Sequence, residues 1–248
     1  MSVPFEVSLS VIDEARFGVR TAKAMLGLAA DVPTLLDFCR ANGAELAIVR
    51  CPTLDLSIAQ ALECAGFFLT GTLLHLKRDL TRKPIPPKTG AVKVRPVKPG
   101  EEVIIGRLAA DAFRGYRGHY HADPNLDPAK CDEVYVDWAI RSCTTPGVAD
   151  EVLVAEDNGE IVGFTTLQMV SADTATSWLS GIKHAARGQH AYRSLKIQSM
   201  LWLQERGGRW NISPTLLSNI AVQKALARLG YEPSHSYYTF HKWFRMAG

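Results

Sequence analysis

The chain is 248 residues long with 47% hydrophobic residues, 21% charged residues and a formal net charge of +3, a globular composition that excludes disordered, collagen-like and fibrous classes. No stretch reaches the roughly 18 uninterrupted apolar residues of a membrane helix, and the opening MSVPFEVSLS lacks the basic and apolar regions of a signal peptide, so a cytoplasmic location without a membrane partner is expected. Five cysteines, Cys39, Cys51, Cys64, Cys131 and Cys143, are scattered and never form a CxxC pair, which points to reduced thiols and against a disulfide framework or a structural metal site.

Along the chain, Ala61-Leu62-Glu63-Cys64-Ala65-Gly66-Phe67 closes a helical pattern and precedes the strand-like Leu73-Leu74-His75-Leu76. Five of the thirteen prolines, Pro84, Pro86, Pro87, Pro96 and Pro99, then cluster in one short stretch. Proline removes backbone donors and disfavours helix before it, so residues 81–90 read as a Pro-rich linker between a smaller unit at 1–80 and a larger one at 91–248.

Within the larger unit the pattern predicts a strand at Val92–Arg95, a helix at Gly100–Phe113, an irregular polar and aromatic loop at 114–128, and a helix at Asp132–Ile140. Glu151–Glu156 and Glu160–Gln168 are β-rich runs joined by Asp157-Asn158-Gly159, whose Asn-Gly tolerates the positive φ of a type I′ turn. Next come a strand at Thr176–Lys183, a helix at Arg193–Arg206 closed by Gly207-Gly208, a strand at Trp210–Ser213, a helix at Ile220–Leu229 and a final strand at Ser236–Phe244. Ala225-Leu226-Ala227-Arg228-Leu229-Gly230-Tyr231 repeats the earlier helix, glycine, aromatic, strand order. Glycine supplies the left-handed residue of a helix C-terminus, and the echo suggests a diverged duplication.

The charge is unevenly placed. From Trp178 onward there are ten Lys/Arg against Glu205 and Glu232, a net +8 that leaves −5 for the first 177 residues. A basic final third suits a polyanionic ligand such as a nucleotide or coenzyme A. The basic residues sit among periodic apolar positions with no helix-turn-helix, zinc-finger or RNP-type motif beside them, which argues against nucleic acid.

This element order resembles the GCN5-related N-acetyltransferase (GNAT) superfamily over residues 91–244. The phosphate-loop motif of that family falls on Arg187-Gly188-Gln189-His190-Ala191-Tyr192, where Arg187 and Gly188 fit and His190 and Tyr192 replace the loop glycines. Backbone N–H groups at a helix start bind phosphate without requiring glycine, so either the loop is intact with His190 facing outward or affinity is compromised. Asn219-x-Ala221 with Leu226 and Gly230-Tyr231 resembles the segment in which the family's Asn lies beside the pantetheine arm, and Asn219 also suits a helix cap. Leu226 stands where the family often carries a general-acid tyrosine. The ending from Ser236 to Trp243, and the loop from His119 to Pro124 followed by Tyr135 and Trp138, are similar to two-part acetyltransferases of amino-sugar nucleotides such as TDP-fucosamine acetyltransferase.

The resemblance implies an α/β fold with a mixed central sheet flanked by helices, preceded by a smaller, truncated GNAT-like half. It also implies an enzyme that moves acetyl from acetyl-CoA to a small amine, preferentially an amino-sugar nucleotide, in a ternary complex without a metal. Ser180, Gly181 and Ile182 would meet the pantetheine, with a backbone N–H near Ile182 stabilising the oxyanion. Arg187, Gly188, Gln189, His190, Ala191 and Tyr192 would hold its phosphates, and Asn219 its arm. His241, His121 and Tyr120 are the proton-transfer candidates, with His119 and Tyr116 in the same loop; His184 reads as surface. The competing expectation is a catalytically degenerate protein that binds acyl-CoA or substrate, and a homodimer is left open.

Overall fold

The computed structural model describes residues 4–88, 90–188 and 190–244 of the chain. The first part runs β1 (Glu6–Leu9), α1 (Val11–Phe17), β2 (Thr21–Met25), α2 (Val32–Ala41), β3 (Leu46–Pro52), α3 (Leu56–Cys64) and β4 (Phe68–Asp79). The second runs β5 (Lys93–Pro96), α4 (Glu102–Ala112), α5 (Pro128–Thr144), β6 (Glu151–Asp157), β7 (Glu160–Ser171), β8 (Thr174–Thr176), β9 (Ser180–Ile182), α6 (Ala191–Gln204), β10 (Trp210–Leu216), α7 (Ile220–Arg228) and β11 (Glu232–Trp243). Among the described residues no helix is long and apolar enough to cross a membrane.

All the strands join one mixed sheet in the order β1-β2-β3-β11-β4-β10-β8-β7-β6-β5, with β9 paired to β7. The centre of this order is an exchange. Strand β4, the last of the first part, lies between β10 and β11, and β11 lies between β3 and β4. Each strand-helix-strand unit, β3-α3-β4 and β10-α7-β11, therefore holds open a gap that the final strand of the other fills. Both inserted strands run antiparallel to their two neighbours, which removes two open sheet edges that would otherwise expose unpaired backbone groups.

The echoed glycines fold alike. Gly66 and Gly230 both have φ +80°. Phe67 N–H donates to Leu62 O at 3.0 Å, and Tyr231 N–H donates to Leu226 O at 3.1 Å, the six-to-one bond of a Schellman C-terminus. The two aromatics are buried in separate clusters, Phe67 under the first unit and Tyr231 under the second.

Most predicted elements appear close to their expected limits, including the hairpin turn, where Asn158 has φ 49° and Gly159 φ 82°. Two differ. Helix α5 begins at Pro128, four residues earlier than expected, because Asp127 caps it by accepting from Ala129 N–H at 2.9 Å and proline suits the first turn. The single strand expected over 176–183 is broken: β8 runs parallel to β10, while β9 runs antiparallel to β7. Between them the chain changes partner. Ser177 N–H still donates to Ile212 O at 2.9 Å, but by Leu179 the backbone bonds Thr166. Beyond Ile212, β10 therefore has no strand on its β8 side, and the sheet is split there. The stretch from Thr81 to Lys88 forms neither helix nor strand. Its start is held by the Arg78 guanidinium, which donates to Pro84 O at 2.7 Å and Lys83 O at 3.2 Å.

Candidate active site

The split between β9 and β10 is lined by Ser180 on one side and Ser213–Leu216 on the other. In the ladder with β7, Phe164 opposes Gly181, and Thr166 N–H bonds Leu179 O. Since hydrogen-bonded and non-bonded pairs alternate in an antiparallel ladder, the backbone groups of Ser180 and Ile182 point away from β7, toward the split. Gly181 packs tightly: a Cβ there would meet the Phe164 ring at 2.7 Å and Ala112 Cβ at 3.0 Å.

Two cavities open on the split and share Phe113, Tyr116, Ser180, Tyr192, Leu216, Asn219 and Val222. One, of about 870 Å³, lies at the start of α6. It is lined by Arg114, Arg117, Arg187, Arg193 and Arg228, and by no Asp or Glu among the described residues. Gly188 has φ +84°, and His190, the residue before α6, is an exposed non-glycine at φ 65°. Among the described residues no side chain caps the first N–H groups of α6, and its positive end faces this cavity. The Arg187 guanidinium donates to Ala112 O at 2.8 Å and ties the turn to the end of α4. Gln189 lies outside the described residues. Asn219 caps α7 by accepting from Val222 N–H at 3.3 Å and also lines both cavities. Leu226 is fully buried in the core behind α7.

A buried lysine sits behind the junction of the two cavities. Lys196 Nζ is 3.0 Å from Ser213 Oγ and 3.2 Å from Ser180 Oγ; Ser180 Oγ is in turn 2.7 Å from Thr165 Oγ1. Among the described residues no carboxylate pairs with it, and burial brings its pKa down to about 7. The Tyr192 hydroxyl also hydrogen-bonds Ser213, and burial raises its pKa.

The second cavity, of about 760 Å³, lies on the other side of the split against β2, β3 and the 113–127 loop. His119 and Tyr120 line it. The His119 ring is linked through its Nδ1 to His241 Nε2 at 3.0 Å, and His241 Nδ1 lies 2.7 Å from Asp123 Oδ2. Asp123 also accepts from Trp243 Nε1 at 2.9 Å and from Asn125 N–H at 3.0 Å. Burial opposes its charge, but these donors hold its carboxyl below the ordinary value. An ionised Asp123 holds a proton on His241 Nδ1; in the tautomer where His241 Nε2 accepts from His119 Nδ1–H, the Nε2 of His119 is left as a lone-pair nitrogen. Burial, followed by the field of Arg50, keeps His119 neutral well below the usual histidine range.

Tyr120 donates to Asp13 Oδ1 at 2.8 Å and accepts from Lys23 Nζ at 3.0 Å. Burial and Asp13 raise its pKa, so it stays neutral. His121 turns the other way: it accepts from Gly118 N–H through Nδ1 and meets Asp132 Oδ1 at 3.0 Å in α5, away from the residues lining the cavity. His184 is exposed beside Asp111. Thus His119 and Tyr120 line one cavity, with His241 buried behind His119, and Ser180, Ile182, Tyr192 and Asn219 line the split, while His121 joins neither. Sequence reasoning missed Asp13, Lys23, Arg50 and Lys196. The last two each interrupt an apolar run, Ala47-Ile48-Val49-Arg50-Cys51 and Leu195-Lys196-Ile197, and a charge in such a run was the available signal.

No protein-family model matches the sequence, and no curated protein does. Solved structures do match the fold. A GCN5-related N-acetyltransferase from Kribbella flavida aligns at TM-score 0.67 and 17% identity over 97% of this chain and 88% of that one. One from Sphaerobacter thermophilus aligns at TM-score 0.64 and 15% identity over 97% of this chain and 76% of that one. A tandem GNAT protein from the clavulanic acid biosynthesis pathway aligns at TM-score 0.65 and 14% identity over 93% of this chain and 77% of that one. The chain has the GNAT fold.

Proposed function

We propose that the protein is an acetyl-CoA-dependent N-acetyltransferase acting on a small amine, with an amino-sugar nucleotide as the preferred acceptor class from the sequence resemblance. The observation that carries this is the split between β9 and β10, which joins a cavity lined by five arginines and a helix N-terminus to a second cavity lined by His119, whose ring is backed by the buried His241 and Asp123. The chain reads as two related units, at 1–80 and 91–248 around a Pro-rich linker, and the exchanged strands β4 and β11 support that reading.

The arginine-lined cavity fits the phosphates of coenzyme A. No Asp or Glu lines it among the described residues, although Arg114 pairs with Asp111; His190 already adopts the left-handed backbone the turn needs, and its exposed side chain leaves the N–H groups of α6 unobstructed. Bound acetyl-CoA supplies the thioester carbonyl that the amine attacks. The free backbone groups of Ser180 and Ile182 would pair with an extended pantetheine arm as an added strand does, and the Ile182 N–H would stabilise the oxyanion.

Proton transfer divides between the two sides of the split. His119 Nε2, held neutral and lone-pair bearing by His241 and Asp123, would take the proton from the acceptor ammonium. Tyr192, at the junction, would supply a proton to the departing thiolate and replace the tyrosine that Leu226 displaces. Ser213 connects Tyr192 to Lys196, a donor held near neutrality. Ordering both reactants in one cleft would add a large share of the rate.

The test is thiol release from acetyl-CoA against amino-sugar nucleotides, amino acids and polyamines, alongside thermal unfolding with acetyl-CoA. At 100 times its dissociation constant, a ligand of the folded state stabilises by about 2.7 kcal/mol. Stabilisation with turnover on one amine class supports the reading, stabilisation without turnover on any amine turns it to a binding protein, and no stabilisation removes the coenzyme site.

A further inference from the structure

The charged residues lining the acceptor cavity are paired with one exception inside it. Lys23 pairs with Asp13, and Arg16 and Arg141 both pair with Asp137, at 2.5 Å and 2.9 Å. Glu6 is exposed. Arg50 remains. It lies on β3 on the same face as Leu46 and Ile48, and it lines the cavity. Its guanidinium makes neither a hydrogen bond nor an ion pair with any described residue. What surrounds it is aromatic: Tyr120, Tyr135 and Tyr237 sense its charge, as do His75 and His119.

A partly buried cation without a counter-ion is costly to keep. Arginine also presents a planar fork of donors that matches the two oxygens of a carboxylate or phosphate. We propose that Arg50 binds an oxyanion, a carboxylate or a phosphate, carried by the acceptor amine, so that the acceptor is an anionic amine anchored at β3 with its nitrogen directed to His119. The proposal rests on the acetyl-transfer reading for the word acceptor, but the anion site itself does not. It also gives the first unit a task, since β3 belongs to residues 1–80 while the split belongs to the second unit.

The placement has a second effect. The field of Arg50 is one of the causes that hold down the basicity of His119. An anion seated on Arg50 screens that field, so occupancy makes His119 a better base at the moment an acceptor is present.

The experiment is calorimetric titration of the full chain with inorganic pyrophosphate and, separately, with succinate, each with and without saturating CoA so that the coenzyme's own phosphate site is blocked in one arm. The expected result is saturable binding of one anion to the CoA-loaded protein. Arg50→Gln should weaken it by about tenfold or more, the loss of one charge-assisted contact, and Arg50→Lys by less. CoA affinity of both variants should stay close to that of the unaltered protein, and Arg50→Gln, which removes the uncompensated charge, should unfold at a midpoint no lower than the unaltered protein's. Binding of pyrophosphate alone identifies a phosphate-bearing acceptor; binding of succinate alone identifies a carboxylate. Absence of binding by either anion at about 10 mM, or equal binding to Arg50→Gln, overturns the proposal. If CoA fails to bind while the Arg50-dependent anion does, the acetyl-transfer reading falls and the anion site stands.

Discussion

His241 Nδ1 and Asp123 Oδ2 meet at 2.7 Å with neither side chain exposed to solvent. The two residues are 118 positions apart, so the contact exists only because β11 is inserted beside β3 and the 113–127 loop folds over its end. Its consequence is a defined tautomer two rings away, at His119.

Asp123→Asn tests that consequence. An amide NH₂ facing His241 Nδ1 makes that nitrogen an acceptor, moves its proton to Nε2, and so forces His119 to carry its own proton on the cavity side. The base is lost while the shape is kept. The expected outcome is a fall in kcat/KM of about 10²-fold or more, a cooperative unfolding transition, and a stability loss of about 1–3 kcal/mol from the weakened hydrogen bonds. Steady-state thiol release and urea unfolding measure both. An unchanged rate would remove the His119 path.

Lys196 makes an opposite prediction for stability and activity. Its folded pKa is lowered to about 7, while an unfolded lysine titrates near 10.4. Between those values the unfolded chain holds a proton that the folded one lacks, so the cost of burial is full below about pH 7 and fades as pH rises toward 10. Lys196→Met is therefore expected to stabilise the protein at pH 6–7 by about 1–3 kcal/mol, the gain shrinking above pH 7. Ser180 and Ser213 keep Thr165 and Tyr192 as partners, which limits the loss on their side. Activity should fall by about tenfold to a hundredfold, with acetyl-CoA affinity changed by less than about threefold. Equal activity in the variant would show that the lysine is only a packing element.

His190→Gly addresses the departure in the phosphate turn. A non-glycine residue at φ 65° carries a backbone cost of about 1–2 kcal/mol, against which the added freedom of glycine in the unfolded chain costs about 0.5–1 kcal/mol. The balance is a small stabilisation, a rise of about 1–2 °C in Tm. Because the histidine side chain is exposed and the N–H groups already have the required direction, acetyl-CoA affinity measured by calorimetry should stay within about threefold. A tenfold gain would mean that the imidazole obstructs the phosphates.

The legible parts of the fold were those set by local chemistry. Asn158-Gly159 specified its turn, Gly66 and Gly230 their helix ends, and the periodicity of 193–206 its helix. The strand break at Ser177–Leu179 was not legible, because whether β9 follows β10 or β7 depends on partners far apart in the chain. The site divided in the same way. Ser180, Ile182 and Asn219 were reached through the family resemblance of their segments, and His241 and His119 only as two separate candidates. Asp123 drew attention only as part of its loop, and Arg50 none, since each gains meaning from an element far away in the chain, β11 for Asp123 and the 113–127 loop for Arg50.

The matched glycines provide the last test, because they share a backbone and differ in surroundings. Both have φ +80°, so replacing either with alanine incurs the same left-handed cost of about 1 kcal/mol. At Gly66 the new Cβ meets only Lys242 Nζ, at 3.0 Å, the mobile end of a side chain. At Gly230 it runs into Arg78 Nη1. Arg78 is 4% exposed, and its guanidinium is held by Leu229 O and Pro84 O, so it cannot step aside without giving up buried hydrogen bonds. Gly66→Ala is expected to cost about 1 kcal/mol, and Gly230→Ala about 2–4 kcal/mol, with the difference read from urea midpoints at constant m. The Gly230 variant should also loosen the 81–88 segment, which Arg78 pins, and become more sensitive to proteolysis there. Equal costs at the two positions would mean that Arg78 rearranges freely and that the segment after β4 is held by something other than its guanidinium.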